Sequence, residues 1–141
     1  MSQEHYFGNA INWRKFQDGL REIINDHKPG VILIEKTWCS SCKKVGAKFQ
    51  QDLELLELSK DFVMISCVDD EEPDYDEFRP GSINSVSNRI DGSYYPRFFF
   101  VDKNGNIDYS IASQPEGGLY RYFYSSPATF KDNMKRMLDR V

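Results

Sequence analysis

Trp38-Cys39-Ser40-Ser41-Cys42 places two cysteines, separated by two residues, at the boundary between two hydrophobic patterns. The preceding run Val31-Ile32-Leu33-Ile34 is continuous and aliphatic, which is typical of a strand buried on both faces. Apolar residues then recur at helical spacing, at Val45, Phe49, Leu53 and Leu56. The sequence therefore predicts a buried strand, a pair of thiols, and a helix that continues to about Leu58.

A cysteine at the start of a helix is well placed for nucleophilic chemistry. Backbone N–H groups without intrahelical partners and the positive end of the helix dipole both favour a thiolate over a thiol. The thiolate is the attacking species in disulfide exchange. Two intervening residues let Cys42 reach back to Cys39 and close a small disulfide. The pair is therefore predicted to be redox-active rather than a purely structural brace.

The composition is that of a small acidic protein. Its 141 residues suffice for one core, so we expect a single domain over residues 1–141, with a flexible N-terminal tail at 1–7. The net charge is -4, from 22 acidic and 18 basic residues, and no basic stripe predicts nucleic-acid binding. Purely apolar runs are only a few residues long, so no membrane association is expected. We expect a monomer without a cofactor.

Periodicity and turn residues predict the other elements. An amphipathic helix that includes Trp13 and Ile24 is predicted to begin with Asn12 as its N-cap and to end near Lys28-Pro29-Gly30. The remaining predictions are a strand at 62–68, an irregular segment at 69–95, a strand at 97–101, a turn at 102–106, a short strand at 107–111, an extended piece at 120–124 and a last helix opened by Ser126 and Pro127.

Several separate stretches, taken in order, resemble one known family. They are Ile11-Asn12-Trp13-Arg14, Glu35-Lys36-Thr37-Trp38-Cys39, Phe62-Val63-Met64, Asp69-Asp70-Glu71-Glu72-Pro73, Tyr95-Pro96-Arg97 and Tyr122-Phe123-Tyr124. From Phe7 to Arg140 the chain is similar to the small single-domain thioredoxins of the endoplasmic reticulum, the group that includes the anterior-gradient proteins. The resemblance implies an α/β thioredoxin fold, with a central mixed β-sheet flanked by helices. It also implies a location in the lumen of the endoplasmic reticulum, with the cytoplasm as the alternative.

The same resemblance implies a thiol-disulfide oxidoreductase that acts on protein thiols and disulfides, with glutathione or another redox partner. Cys39 would be the attacking thiol and Cys42 the resolving thiol. Pro96 would be a cis-proline facing the disulfide, and the backbone at Tyr95 would pair with an extended substrate strand. Trp38 would shield the thiols and add to the docking surface.

Three charged residues are candidate modulators of the pair, namely Glu35, Lys43 and Arg97. Relatives use a proton acceptor near the resolving thiol, and Glu35 is the nearest carboxylate in sequence. An ordinary strand-end charge is the simpler interpretation of that residue. The Ser40-Ser41 dipeptide lacks a histidine, whose positive charge would make the disulfide more oxidising. The sequence therefore leaves open whether the protein oxidises, reduces or isomerises disulfides.

Other interpretations of these residues are weaker. A zinc site needs about four ligands, and Cys67, His5 and His27 do not follow zinc-ribbon spacing, so no metal is predicted. Cys67 is interpreted as a small buried hydrophobe. Residues 69–77 contain seven carboxylates without the spacing of a calcium loop, which predicts a solvated acidic loop. The alternative function is a chaperone-like thioredoxin-fold module that binds client proteins with little catalytic turnover.

Overall fold

The computed structural model describes residues 6–35, 39–68, 95–115 and 120–140. Its elements are β1 (Trp13–Arg14), α1 (Phe16–Asp26), β2 (Gly30–Glu35), α2 (Ser40–Gln50), α3 (Leu53–Leu58), a 3₁₀ turn (Ser59–Asp61), β3 (Val63–Val68), β4 (Arg97–Val101) and α4 (Pro127–Leu138). Within these residues the strands form one sheet in the order β1-β3-β2-β4. Strand β2 is parallel to β3 and antiparallel to β4, so the sheet is mixed.

Both faces of the central strand β2 are buried, as its aliphatic run predicts. Side chains alternate between the two faces of a strand. Val31 and Leu33 lie in a core shared with α2 and α4, whereas Ile32 and Ile34 lie in a core shared with α1. Helices therefore cover both faces, and the predicted mixed sheet with flanking helices is confirmed. Each described helix is too short or too polar to cross a membrane.

The start of the first helix differs from its prediction. Trp13 belongs to β1, which pairs with β3, and α1 begins only at Phe16 with Lys15 in the N-cap position. The prediction of Asn12 as N-cap is wrong, because pairing with β3 holds the chain extended for two more residues. The helix ends as predicted, with His27 in the left-handed conformation at a φ of 54°.

The predicted long helix after the cysteines is two helices, α2 and α3. Asp52 separates them by accepting a hydrogen bond from the backbone N–H of Leu55 at 3.0 Å, which caps α3. Such a cap competes with continuation of the first helix. The apolar periodicity hides the break, because Phe49 and Leu55 on its two sides are both buried.

The predicted flexible tail at 1–7 is wrong for its last residue. Phe7 is fully buried, and its ring packs edge-on against Phe49 and Phe98. The carbonyl of Tyr6 accepts a hydrogen bond from Nε2 of Gln50 at 2.6 Å. Residues 1–5 lie outside the described part of the chain, as does the irregular acidic segment predicted from residue 69, up to residue 94.

The chain after β4 is less regular than predicted. The turn at 102–106 is present, since Oδ1 of Asp102 accepts from the backbone N–H groups of Asn104 and Asn106. The predicted strand at 107–111 is reduced to a single bridge between Val101 and Ile107, because the chain turns again at once after that bridge.

The extended piece predicted at 120–124 does not form a strand. Tyr120 has a left-handed φ of 56°, and a single backbone hydrogen bond of 2.8 Å joins Phe98 N–H to the Tyr122 carbonyl. Tyr122 and Tyr124 are buried in the core, whereas Tyr120 is exposed. Helix α4 begins at Pro127, as predicted.

Candidate redox site

Cys39 and Cys42 form a disulfide, with their Cα atoms 5.2 Å apart. Cys39 is the N-cap of α2 and has an extended backbone, so the strand-to-helix boundary predicted from the sequence is confirmed. The backbone N–H of Cys42 donates to Sγ of Cys39 across 3.1 Å. The first cysteine is therefore held where the N-terminal N–H groups of the helix point.

The two cysteines differ in exposure. Cys42 is fully buried, in a core cluster that also contains Val45 and Phe49. Cys39 is half-buried and packs on the edge of that cluster. Of the pair, Cys39 is therefore the sulfur that an outside molecule reaches first.

Strand pairing brings Tyr95 and Pro96 to the same edge of the sheet as the cysteines. Strands β2 and β4 are antiparallel, and Ile34 pairs with Arg97 at this edge. Cys39 follows the end of β2 and Pro96 immediately precedes β4, so both segments leave the sheet here. The Tyr95–Pro96 peptide bond is cis, as predicted. Tyr95 is half-buried and packs against the same core cluster as Cys39.

Glu35 is the last residue of β2, yet only 2% of its surface is exposed. Alternation along the strand places it on the same face as Leu33, which lies in the core cluster of Cys42. The hydroxyl of Ser66 donates to Oε2 of Glu35 across 3.1 Å. The carboxyl group is thus buried and hydrogen-bonded, and the interpretation as an ordinary strand-end charge is corrected in this respect.

The other predicted site residues lie in contrasting environments. Arg97 is fully buried, and its guanidinium carbon is 5.2 Å from the centroid of the Tyr95 ring. Lys43 is exposed on α2. Trp38 lies outside the described residues. Cys67 is a buried thiol in β3, as predicted.

Sequence reasoning missed Ser66 as a residue of this site. The alternation of β3 contains the signal, because Ser66 lies on the same face as buried Met64 and is the polar residue of an otherwise apolar strand sequence. A polar side chain at such a position needs a hydrogen-bonding partner. Among the described residues, no group of three or more Cys, His, Asp or Glu side chains is arranged to hold a metal ion.

Known proteins match both the sequence and the fold. A family model described as thioredoxin-like matches residues 12–103, more than half of the chain. A thioredoxin from Thermus thermophilus superposes with a TM-score of 0.62 at 20% identity, and the match covers 92% of this chain and 88% of that chain.

Two further solved structures share the fold. Mitochondrial thioredoxin 3 from Saccharomyces cerevisiae, in its oxidized form, has a TM-score of 0.55 at 18% identity, covering 90% of this chain and 95% of that chain. The DsbH oxidoreductase has a TM-score of 0.55 at 16% identity, covering 99% of this chain and 92% of that chain. With the predicted thioredoxin fold confirmed and the family model matched over this length, the chain belongs to the thioredoxin-like family.

Proposed function

We propose that the protein is a thiol-disulfide oxidoreductase that acts on protein substrates through Cys39 and Cys42. The observation that carries this proposal is the placement of half-buried Cys39 at the N-cap of α2, bonded to fully buried Cys42. In the reduced protein, the Cys42 N–H that now points at Sγ of Cys39 would stabilise a thiolate there. Membership of the thioredoxin-like family supports the same activity.

The reduction of a substrate takes two exchanges. The Cys39 thiolate attacks one sulfur of a substrate disulfide, that S–S bond breaks, and one substrate thiolate leaves while the other sulfur stays bonded to Cys39. The Cys42 thiolate then attacks Sγ of Cys39 and releases the second substrate thiolate. Two electrons pass to the substrate, and the protein ends with its Cys39–Cys42 disulfide. A thiol reductant such as glutathione restores the dithiol, and the reverse sequence oxidises a substrate dithiol.

Cys42 requires a proton acceptor in the second exchange, because its thiol is fully buried. We assign this role to Glu35, the buried carboxylate on the Cys42 face of β2. The hydrogen bond from Ser66 holds one carboxylate oxygen, which fixes the orientation of the group. Proton removal by a positioned carboxylate is a standard contribution to such steps.

The substrate-binding edge in this proposal is the segment Tyr95-Pro96. Proline has no N–H, so it offers no donor that competes for the sulfur atoms. The backbone at Tyr95 would pair with an extended segment of the substrate, which provides affinity with little side-chain selectivity. The contribution of Trp38 stays a prediction from the sequence.

A location in the lumen of the endoplasmic reticulum is proposed on the anterior-gradient resemblance, and fluorescence microscopy of the tagged natural gene product tests it. The direction of electron flow is tested by equilibrating the protein with glutathione redox buffers. Each 30 mV of potential corresponds to about 1.4 kcal/mol for this two-electron couple.

Trapping with Cys42→Ser tests the proposed activity. Serine is close to cysteine in shape but cannot resolve the mixed disulfide, so the variant should accumulate covalent complexes with a disulfide-containing protein such as insulin. Added dithiothreitol should dissolve the complexes, and turnover should be lost. Cys39→Ser is the matched control and should form none. If Cys42→Ser keeps full turnover, the two-thiol mechanism is wrong. If the wild-type protein shows no turnover and Cys42→Ser traps nothing, the holding-module function replaces it.

A further inference from the structure

Arg97 is a fully buried arginine at the first position of β4. Burying a cation costs its hydration unless the surroundings compensate. Part of that compensation is visible, since the guanidinium carbon lies 5.2 Å from the centroid of the Tyr95 ring. This distance is within the range of about 6 Å over which a cation is attracted to the face of an aromatic ring.

The two members of this pair differ in how they are held. Arg97 is fixed by the sheet, where it pairs with Ile34 of β2. Tyr95 lies outside β4, on the far side of Pro96, and is half-buried. The contact therefore connects a fully buried strand residue to a half-buried residue at the edge of the sheet where the redox pair lies.

We propose that Arg97 is a positioning residue that orients Tyr95 for the binding of extended polypeptide substrates. Its guanidinium sets the position of the Tyr95 ring and hence the course of the backbone at residue 95. Arg97 acts through Tyr95 and takes no part in the sulfur exchange. This inference rests on the proposed oxidoreductase function and names its substrate selectivity.

A consequence is that Arg97 distinguishes long from short disulfide substrates. An extended peptide gains affinity from backbone pairing along the edge at Tyr95. Glutathione disulfide needs only access to Cys39, because it is too short to pair along that edge. Disorienting Tyr95 should therefore weaken peptide binding and leave the exchange chemistry intact.

The test measures steady-state reduction of two substrates, with dithiothreitol as the electron donor. One is a short extended peptide that contains an intermolecular disulfide, and the other is glutathione disulfide. Arg97→Met should raise the peptide KM about tenfold, a loss equivalent to about 1.4 kcal/mol. The kcat for the peptide should be unchanged, and so should the kcat and the KM for glutathione disulfide. Arg97→Lys keeps the charge without the planar face, and its peptide KM should rise by a smaller factor.

Arg121→Met is the matched control. Arg121 also stacks on a tyrosine, with its guanidinium carbon 5.5 Å from the centroid of the Tyr122 ring. If loss of any such stack loosened the fold, this variant would change the peptide KM as well. We expect it to leave the ratio of peptide to glutathione disulfide KM at the wild-type value.

A double-mutant cycle shows whether Arg97 acts through Tyr95. Tyr95→Leu should raise the peptide KM at least as much as Arg97→Lys does, and the variant that combines Arg97→Lys with Tyr95→Leu should have a peptide KM no higher than that of Tyr95→Leu alone. Additive effects, or equal losses on both substrates, would overturn the positioning role. If Arg97→Met does not fold, Arg97→Lys and the cycle still decide. A wild-type protein inactive on both substrates would instead refute the proposed function and remove the basis of this inference.

Discussion

The helix that carries the cysteines and the first described residues touch backbone to backbone at Gly46 and Tyr6. A Cβ placed on Gly46 would lie 2.1 Å from the carbonyl oxygen of Tyr6 and 2.6 Å from its carbonyl carbon. No rotation of a side chain relieves contacts with backbone atoms. Phe7 follows directly and is fully buried. The close approach at Gly46 therefore lets the chain before β1 pack directly on α2.

Gly46→Ala is therefore expected to destabilise the protein by about 2–4 kcal/mol, because Phe7 must leave its site for the methyl group to fit. The intrinsic helix preference has the opposite sign and favours alanine by about 1 kcal/mol. Urea denaturation measures the difference. Ala47→Gly, at the next and exposed position of α2, should cost only about 1 kcal/mol. A stabilised Gly46→Ala variant would show that the approach of Tyr6 is not required.

After reduction of the disulfide, the protein should have one reactive thiol and two unreactive thiols. We expect the pKa of Cys39 to lie below that of an ordinary thiol, since the Cys42 N–H and the helix dipole stabilise its anion. Cys42 and Cys67 are fully buried and should alkylate slowly. Iodoacetamide labelling at a series of pH values, with the sites assigned by mass spectrometry, measures all three. Faster labelling of Cys42 than of Cys39 would reverse the assigned roles.

Glu35→Gln should slow the resolution of a mixed disulfide on the order of 100-fold, the scale of a lost general base. The amide can still accept the hydrogen bond from Ser66, so folding should be retained. The initial attack by Cys39 should keep its rate. Stopped-flow measurement of a preformed mixed disulfide with a chromogenic thiol separates the two steps.

The control for that change is Ser66→Ala, which removes the hydroxyl and leaves the carboxylate. It should slow resolution much less than Glu35→Gln. Resolution by Glu35→Gln at the wild-type rate would exclude Glu35 as the proton acceptor.

The sequence predicts the redox pair and its strand well because those signals are local. An aliphatic run and a helical repeat meet at Cys39, and each is a property of neighbouring residues. β1 is different, since Trp13 is extended only because it pairs with Met64, about fifty residues away along the chain. Its apolar side chain fits a helical repeat equally well.

Burial of charge is the other feature that the sequence conceals. Glu35 and Arg97 stand at strand ends, where charged residues are usually solvated. Their burial depends on what the fold packs around them, including the Ser66 hydroxyl and the Tyr95 ring. The pattern therefore locates the site, and the three-dimensional packing decides which charges belong to it.

Asp52 links two helices: α3, which follows the cysteine helix α2 in the chain, and α4. Its Oδ1 caps α3 through the Leu55 N–H at 3.0 Å, and its Oδ2 lies 2.9 Å from Nζ of Lys131 in α4. Partial burial alone would raise the pKa of Asp52, but the hydrogen bonds from Leu55 and Lys131 outweigh it and lower the pKa below its ordinary value of 3.8. Ionised Asp52 therefore stabilises the folded state.

The sign of the shift sets the pH range of this stabilisation. Because the pKa of Asp52 is lower in the folded protein, its contribution is complete above the ordinary value of 3.8 and is lost as the pH falls through the lowered one. Asp52→Ala should cost about 1–2 kcal/mol near neutral pH, and the penalty should shrink in strong acid. Asp52→Asn keeps an oxygen for the cap, so it should cost less than Asp52→Ala. Lys131→Met should cost at least as much as Asp52→Asn, because Lys131 also forms an ion pair with Glu54 at 3.0 Å. Urea denaturation of the four proteins at both pH values measures these differences, and a penalty for Asp52→Ala that does not change with pH would refute the role of the charge.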